Sequence, residues 1–218
     1  MALTFLRLKE QAAKIAKDIG YNMSSEEDYE DAINEALMRI SRQAKIFTKT
    51  AILSCPAGEQ AIALPDNYLS LFTGASRSPV RFTNEVGRNI YLRASTKREI
   101  MNRSEDWDNK TGDPECFWID GNGTINLVPI PEFEGTDNLR IDYIAMASTL
   151  VENEDISEFT DKWLYAIAYM TASIISADNE LPQDAKLYEN EANLRMNELV
   201  VTGENYQIDN AFSIGYIG

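Results

Sequence analysis

The spacing of apolar residues changes period twice along this chain, and that switch limits the architectures open to it. At both ends hydrophobic residues recur every three or four positions, the signature of helices with one buried face. Between about Thr48 and Ala147 the period falls towards two and turn residues recur, the signature of short strands. Helices at both ends with strands between them read as an α+β fold. The pattern predicts a four-helix bundle built from residues 1–47 and 150–202, with a small antiparallel β domain inserted at 48–149. An extended C-terminal arm, 203–218, follows the last helix.

Local signals support each element. Phe5, Leu8, Ala12, Ile15, Ala16 and Ile19 form the stripe of a first helix, with Gly20 placed as its left-handed stop. Ser24 with Glu27, or Ser25 with Asp28, supplies a capping box for a second helix. Its stripe is Tyr29, Ala32, Ile33, Ala36, Leu37, Ile40, Ala44 and Phe47. The middle reads as six or seven short strands. A hairpin joins Cys116–Ile119 to Thr124–Val128 through Asp120-Gly121-Asn122-Gly123, and Leu139, Ile141 and Tyr143 alternate with Arg140 and Asp142. A helical insertion is expected at Thr96 to Trp107. Trp163 to Ala177 is a charge-free run of 15 residues, too short for a membrane span of roughly 20 and read as a helix buried on several sides. Pro182 opens the last helix, with Ala185, Tyr188, Ala192, Arg195 or Met196, and Leu199 on its stripe and Gly203 as its end.

Composition removes whole classes of chemistry. There is no His, so Ser-His-Asp and Cys-His catalysis and every His-containing metal site are excluded. Cys55 and Cys116 lie 61 residues apart, form no CxxC and read as small core residues in a reducing compartment. The chain has no phosphate-binding glycine loop and no GxSxG elbow; Gly121-Asn122-Gly123 belongs to a turn. The acidic strings at Ser24–Asp28 and Glu152–Asp155 precede expected helices, where N-terminal stabilisation explains them without a metal. The expectation is a protein that is not an enzyme, with no cofactor, no metal site, no secretory signal and no membrane association.

Charge is the more informative signal. The formal net charge is −15, which argues against general nucleic-acid binding. Residues 1–149 hold 17 basic and 22 acidic side chains, whereas 150–218 hold 3 and 13. Within the first part Arg77, Arg81, Arg88, Arg93, Lys97, Arg98 and Arg103 gather against only Glu85 and Glu99. One reading is a solvated rim. The other is a basic surface meeting the acidic C-terminal third of the next copy, a head-to-tail contact that closes into a ring. In the arm, Tyr206 and Ile208, then Phe212, Ile214 and Tyr216, keep strand spacing with no partner strand in the segment. Five large apolar side chains there either fold back onto the chain's own helices or, the favoured reading, dock on another protein or a neighbouring copy.

Two stretches carry a family resemblance. One is Leu64-Pro65-Asp66-Asn67-Tyr68, following the second helix and first strands. The other runs from Pro114-Glu115-Cys116-Phe117-Trp118-Ile119-Asp120-Gly121 through Ile125-Asn126-Leu127-Val128-Pro129-Ile130-Pro131 to Leu139-Arg140-Ile141-Asp142-Tyr143. With the order of elements, they resemble the head-to-tail adaptor (connector, or head completion) proteins of tailed bacteriophages, particularly short-tailed ones. The resemblance implies a virion protein assembled in the host cytoplasm as a twelve-fold ring beneath the portal protein. Such a ring extends the DNA channel, lets double-stranded DNA pass without sequence-specific binding, and receives tail or nozzle proteins. It also implies anchoring through a C-terminal extension. The competing reading is an acidic monomeric or dimeric binding module, a DNA mimic or regulatory inhibitor.

Overall fold

A computed structural model of the chain describes residues 2–18, 20–74, 77–103 and 106–213, with side chains described as far as Val201. The backbone divides into two compact units, Met1–Ile46 with Met146–Gly218, and Phe47–Ala145. Among the described residues they hold five α-helices and two sheets, a mixed α+β fold.

The first unit contains α1 (Phe5–Ile15), α2 (Glu26–Ala44), α4 (Leu164–Asp178) and α5 (Pro182–Ser213), with a 3-10 turn at Asp161–Trp163 leading into α4. The capping box at the start of α2 is the Ser25–Asp28 pair: Ser25 Oγ accepts from the Asp28 N–H and Asp28 accepts from the Ser25 N–H. Helix α1 stops earlier than Gly20 suggests. Lys17 takes the left-handed conformation (φ 59°), the Lys17 N–H bonds to Lys14 O, and the Asp18 N–H bonds to Ala13 O, a Schellman closure. Asp18, 3% exposed, then folds the connection to α2 by accepting from the N–H groups of Asn22, Met23 and Ser24 at 2.8, 2.9 and 3.1 Å.

Helix α4 carries no charge before its last residue, and most of its side chains are buried, Leu164, Ile167, Met170 and Ile175 among them. That is what a helix surrounded by other helices requires. Helices α1, α2 and α5 all pack on it. Side chains fix the arrangement: Ser173 Oγ donates to Ala185 O at 2.8 Å, Tyr188 Oη to Ile15 O at 3.1 Å, and Asn179 Nδ2 to Ser24 Oγ at 2.7 Å. Asn34 pairs through both amide atoms with the Leu150 backbone, tying the segment before α4 to α2. The string Glu152–Asp155 itself forms a turn rather than leading into a helix; the Asp155 carboxylate accepts from the Val151 and Glu152 N–H groups, which hold its pKa below the usual carboxylate range.

Helix α5 differs from the sequence expectation at its end. It continues through Gly203 to Ser213, so the backbone of 203–213 is helical rather than extended. Gly inside a helix costs about 1 kcal/mol relative to Ala.

Among its described residues the second unit holds nine strands, not six or seven. One sheet has the order β1 (Thr48–Cys55), β9 (Gly135–Ala145), β4 (Val80–Thr83), β5 (Asn89–Tyr91), with β3 (Tyr68–Leu71) also paired to β9. The other has the order β2 (Ala61–Ala63), β8 (Thr124–Val128), β7 (Cys116–Ile119), β6 (Arg93–Ala94). The β6–β7 pair is parallel, so the unit is not wholly antiparallel. Helix α3 (Lys97–Arg103) occupies part of the expected Thr96–Trp107 insertion, with Thr96 and Glu99 capping its start reciprocally. The β7–β8 hairpin pairs Cys116 with Val128 and Ile119 with Ile125, and Gly123 supplies the positive φ of its turn. The two sheets share one core that includes Val80, Phe82, Phe117, Leu127, Leu139 and Ile141. Cys55 lies in this core, where burial, then the charge of Glu59, pushes its thiol up to about 12. Burial likewise raises the thiol of the half-buried Cys116.

Candidate subunit interface

Strand alternation decides which arginines meet. In β4 Val80 and Phe82 point into the core, so Arg81 points out; in β9 Leu139 and Ile141 point in, so Arg140 points out. The register sets Arg81 opposite Arg140 on one side and opposite Tyr91 on the other. A single row therefore crosses three strands on the outer face of the five-stranded sheet.

Arg77 joins this row from the loop before β4. Its guanidinium lies 5.2 Å from the Tyr91 ring centroid and donates to Tyr91 Oη at 3.3 Å. The hydrogen bond from Arg77, reinforced by the positive charges of Arg77 and Arg81, holds the Tyr91 phenol below its ordinary pKa. Arg140 donates to Asp142 Oδ1 from Nε and Nη2, both at 3.2 Å, and Thr50 Oγ1 donates to the same oxygen at 2.6 Å. Like charges directly opposite on neighbouring strands are destabilising. Asp142 compensates Arg140, while Arg81 Nε is buried without a hydrogen-bond partner. This face can receive carboxylates.

The remaining cations of the cluster are dispersed. Arg88 sits in the turn between β4 and β5, where its N–H bonds to Asn84 Oδ1 at 2.9 Å and its side chain is exposed. Arg93 is exposed on β6 of the other sheet. Arg98 is exposed on α3, next to Lys97, whose ammonium lies 5.5 Å from the Trp107 ring centroid. So Arg77 and Arg81 come together with each other and with Arg140, whereas Arg88, Arg93 and Arg98 occupy three other places. Arg140 was missed because it lies far along the chain; its outward phase in the Leu139–Tyr143 alternation was the available signal.

Of the arm residues, Tyr206, Ile208 and Phe212 fall on the helical backbone of α5, and their side chains lie outside the described residues. Ile214 and Tyr216 lie outside the described residues altogether. The helical unit carries an open groove of about 780 Å³ lined by Glu35, Arg39, Asp178, Glu180, Lys186 and Glu189, with both signs of charge represented. Among the described residues no group of three or more Cys, Asp or Glu side chains is placed to hold a metal ion, and no helix is long and apolar enough to cross a membrane.

The family model described as SU10 adaptor protein matches residues 3–213, both units included. The chain belongs to the SU10 adaptor protein family. Membership makes it a phage adaptor-type protein, a structural component of the virion in a head–tail adaptor role. It also implies self-association and contact with portal and tail proteins in general terms. A comparison with curated proteins returned no match.

Proposed function

We propose that this adaptor assembles as a twelve-fold ring beneath the portal of a short-tailed phage, extends the DNA channel and joins the portal to tail or nozzle proteins. The observation that carries this reading is the family match across residues 3–213. The helices α1, α2, α4 and α5 act as one four-helix bundle, and the ring assembles in the host cytoplasm. Neighbouring copies meet through Arg77, Arg81, Arg88, Arg93 and Arg98 on one side and the acidic C-terminal third on the other. The unequal charge of the two parts supports that pairing, with net −10 in residues 150–218. Tyr206, Ile208, Phe212, Ile214 and Tyr216 dock on the portal or on the neighbouring copy. Double-stranded DNA passes through without sequence-specific binding, since an acidic wall offers few cations to hold phosphates.

Electron microscopy of purified portal mixed with this chain tests the ring. Added density of twelve-fold symmetry below the portal is expected; no added density, or a ring of another order, overturns the reading. The triple variant Arg81→Glu, Arg88→Glu, Arg93→Glu tests the contact. It should abolish ring density while changing thermal unfolding of the free chain little, because Arg88 and Arg93 are exposed and the half-buried position 81 faces Arg140 across the β4–β9 register, where a carboxylate replaces like charge with opposite charge. Normal rings from the triple variant would leave the cluster a solvated rim.

A further inference from the structure

Helix α5 has two apolar faces. Ala185, Ala192 and Met196 are buried; at about 100° per residue they lie within some 40° of one another. Leu187, Leu194 and Val201 lie on the opposite side of the same helix, and they are 56%, 56% and 59% exposed. Three large apolar side chains at intervals of seven, all in water, are not the scatter of single exposed hydrophobics that a surface normally shows. The sequence repeats the interval once more at Ile208.

Seven-residue spacing is the period of a helix–helix seam, so the natural occupant is another helix. The intervening positions say which. Asn190 and Asn197, both exposed, stand three residues after Leu187 and Leu194. The row thus alternates an apolar residue with an asparagine, as the two core positions of a heptad would. An asparagine amide both donates and accepts, so it is satisfied by an identical asparagine opposite it. A polar asparagine at a core position is also the device that fixes register between like helices.

Flanking charges give the direction. Lys186 lies on one side of the stripe and Glu191 on the other. In a parallel, in-register pair Lys186 of one helix faces Glu191 of the second copy, and Asn193 faces Glu198. An antiparallel pair instead brings Glu191 against Glu198, like against like. Glu191 Oε2 already lies 3.7 Å from Arg195 Nη2, too long for a hydrogen bond, and Arg195 is held over the rings of Tyr165 and Tyr169.

We infer that the outer face of α5 is a docking surface for α5 of a second copy of this chain, parallel and in register, through Leu187, Asn190, Leu194, Asn197 and Val201. This contact is independent of the ring reading. It describes association of the free chain, and the two succeed or fail separately.

Sedimentation of the full chain is expected to show a concentration-dependent dimer. The double variant Leu187→Glu, Leu194→Glu should weaken it by about a hundredfold, two tenfold steps for two lost apolar anchors. At concentrations where the wild type is monomeric, its thermal unfolding should match the wild type's, because the stripe faces away from its own core. A Gln183→Cys variant in a Cys116→Ser background should give dimers with a short bismaleimide, since parallel pairing brings the two helix starts together. A wild-type chain that stays monomeric, a double variant that still dimerises, or cross-linking confined to antiparallel positions overturns the inference. So does a monomeric chain whose portal binding is lost in the double variant, which would assign the stripe to the portal.

Discussion

Lys9 is the most deeply buried cation of the helical unit, and its replacement separates packing from charge. The side chain is 1% exposed, its Nζ lies 2.6 Å from Glu26 Oε1 and 2.8 Å from Glu30 Oε1, and it stands 5.1 Å from the Phe5 ring centroid. The two carboxylates are 55% and 36% exposed, so they rehydrate when the ammonium goes. In Lys9→Met two charge-assisted hydrogen bonds vanish, worth roughly 1.5–3 kcal/mol each. Most of that loss is offset because a buried ammonium no longer has to be desolvated, leaving a net cost of about 1 kcal/mol. Lys9→Ala also removes the methylene stem and leaves a void, which raises the cost to about 3 kcal/mol. Urea unfolding followed by circular dichroism measures both. Equal destabilisation of the two variants would mean that the charge pair, not the stem, carries the contribution, and would refute the reasoning.

The same site has a definite pH signature. Burial by itself lowers the Lys9 pKa, but the hydrogen bonds from Lys9 to Glu26 and Glu30, together with their charges, outweigh it and raise the pKa above 10.5. A raised folded-state pKa means stabilisation that is complete below 10.5 and lost as pH rises through the folded value. Tyr29 moves the same way, because burial, then the Asp18 charge, raises its phenol. Wild type therefore weakens above pH 10.5, and the gap between wild type and Lys9→Met should narrow there. A gap that is constant through that range would show that Lys9 gains nothing from its carboxylates.

Two further outcomes are expected. Arg77→Met should raise the Tyr91 pKa towards 10.0, read from phenolate absorbance in a difference titration against Tyr91→Phe; an unchanged titration would remove Arg77 as the cause. Ser25→Ala should cost about 1 kcal/mol through loss of the α2 cap, read from the urea midpoint, with little change in the slope of the transition.

The elements legible in the sequence are those whose signal is local and repeated. Helix α2 announces itself by a capping box and six buried stripe residues, Tyr29, Ala32, Ile33, Ala36, Leu37 and Ile40. The β7–β8 hairpin does so by alternation on both sides of a turn rich in Asp, Asn and Gly. Strands such as β5 and β6 span three and two residues, too few for any period to show. The end of α1 depends on Lys17 adopting positive φ, which nothing in a lysine advertises. Helix α5 hides its length because Gly203 reads as a stop and the spacing of Tyr206 and Ile208 reads as a strand, whereas the helical backbone continues to Ser213. In the basic face, Arg77 and Arg81 were visible as a cluster, but only the β4–β9 register sets Arg140 beside them, while Arg93 stands on the other sheet and Arg98 on α3.

What the fold leaves unneutralised explains why an acidic chain still presents a basic face. In the helical unit the cations are largely matched within the unit: Lys9 lies between two glutamates, Arg7 pairs with Asp161, Arg39 with Glu35, and Arg195 with Glu191. On the outer sheet face Arg77, Arg81 and Arg140 converge on Tyr91 and a single carboxylate, Asp142. A surplus of positive charge held on rigid strands loses little entropy when a partner's carboxylates arrive, and it is attractive over roughly one Debye length, about 8 Å at physiological salt. The α5 stripe works by the other mechanism, because burial of Leu187, Leu194 and Val201 against a second helix is insensitive to screening. Salt should therefore weaken the proposed contact through the basic face far more than the proposed contact through α5.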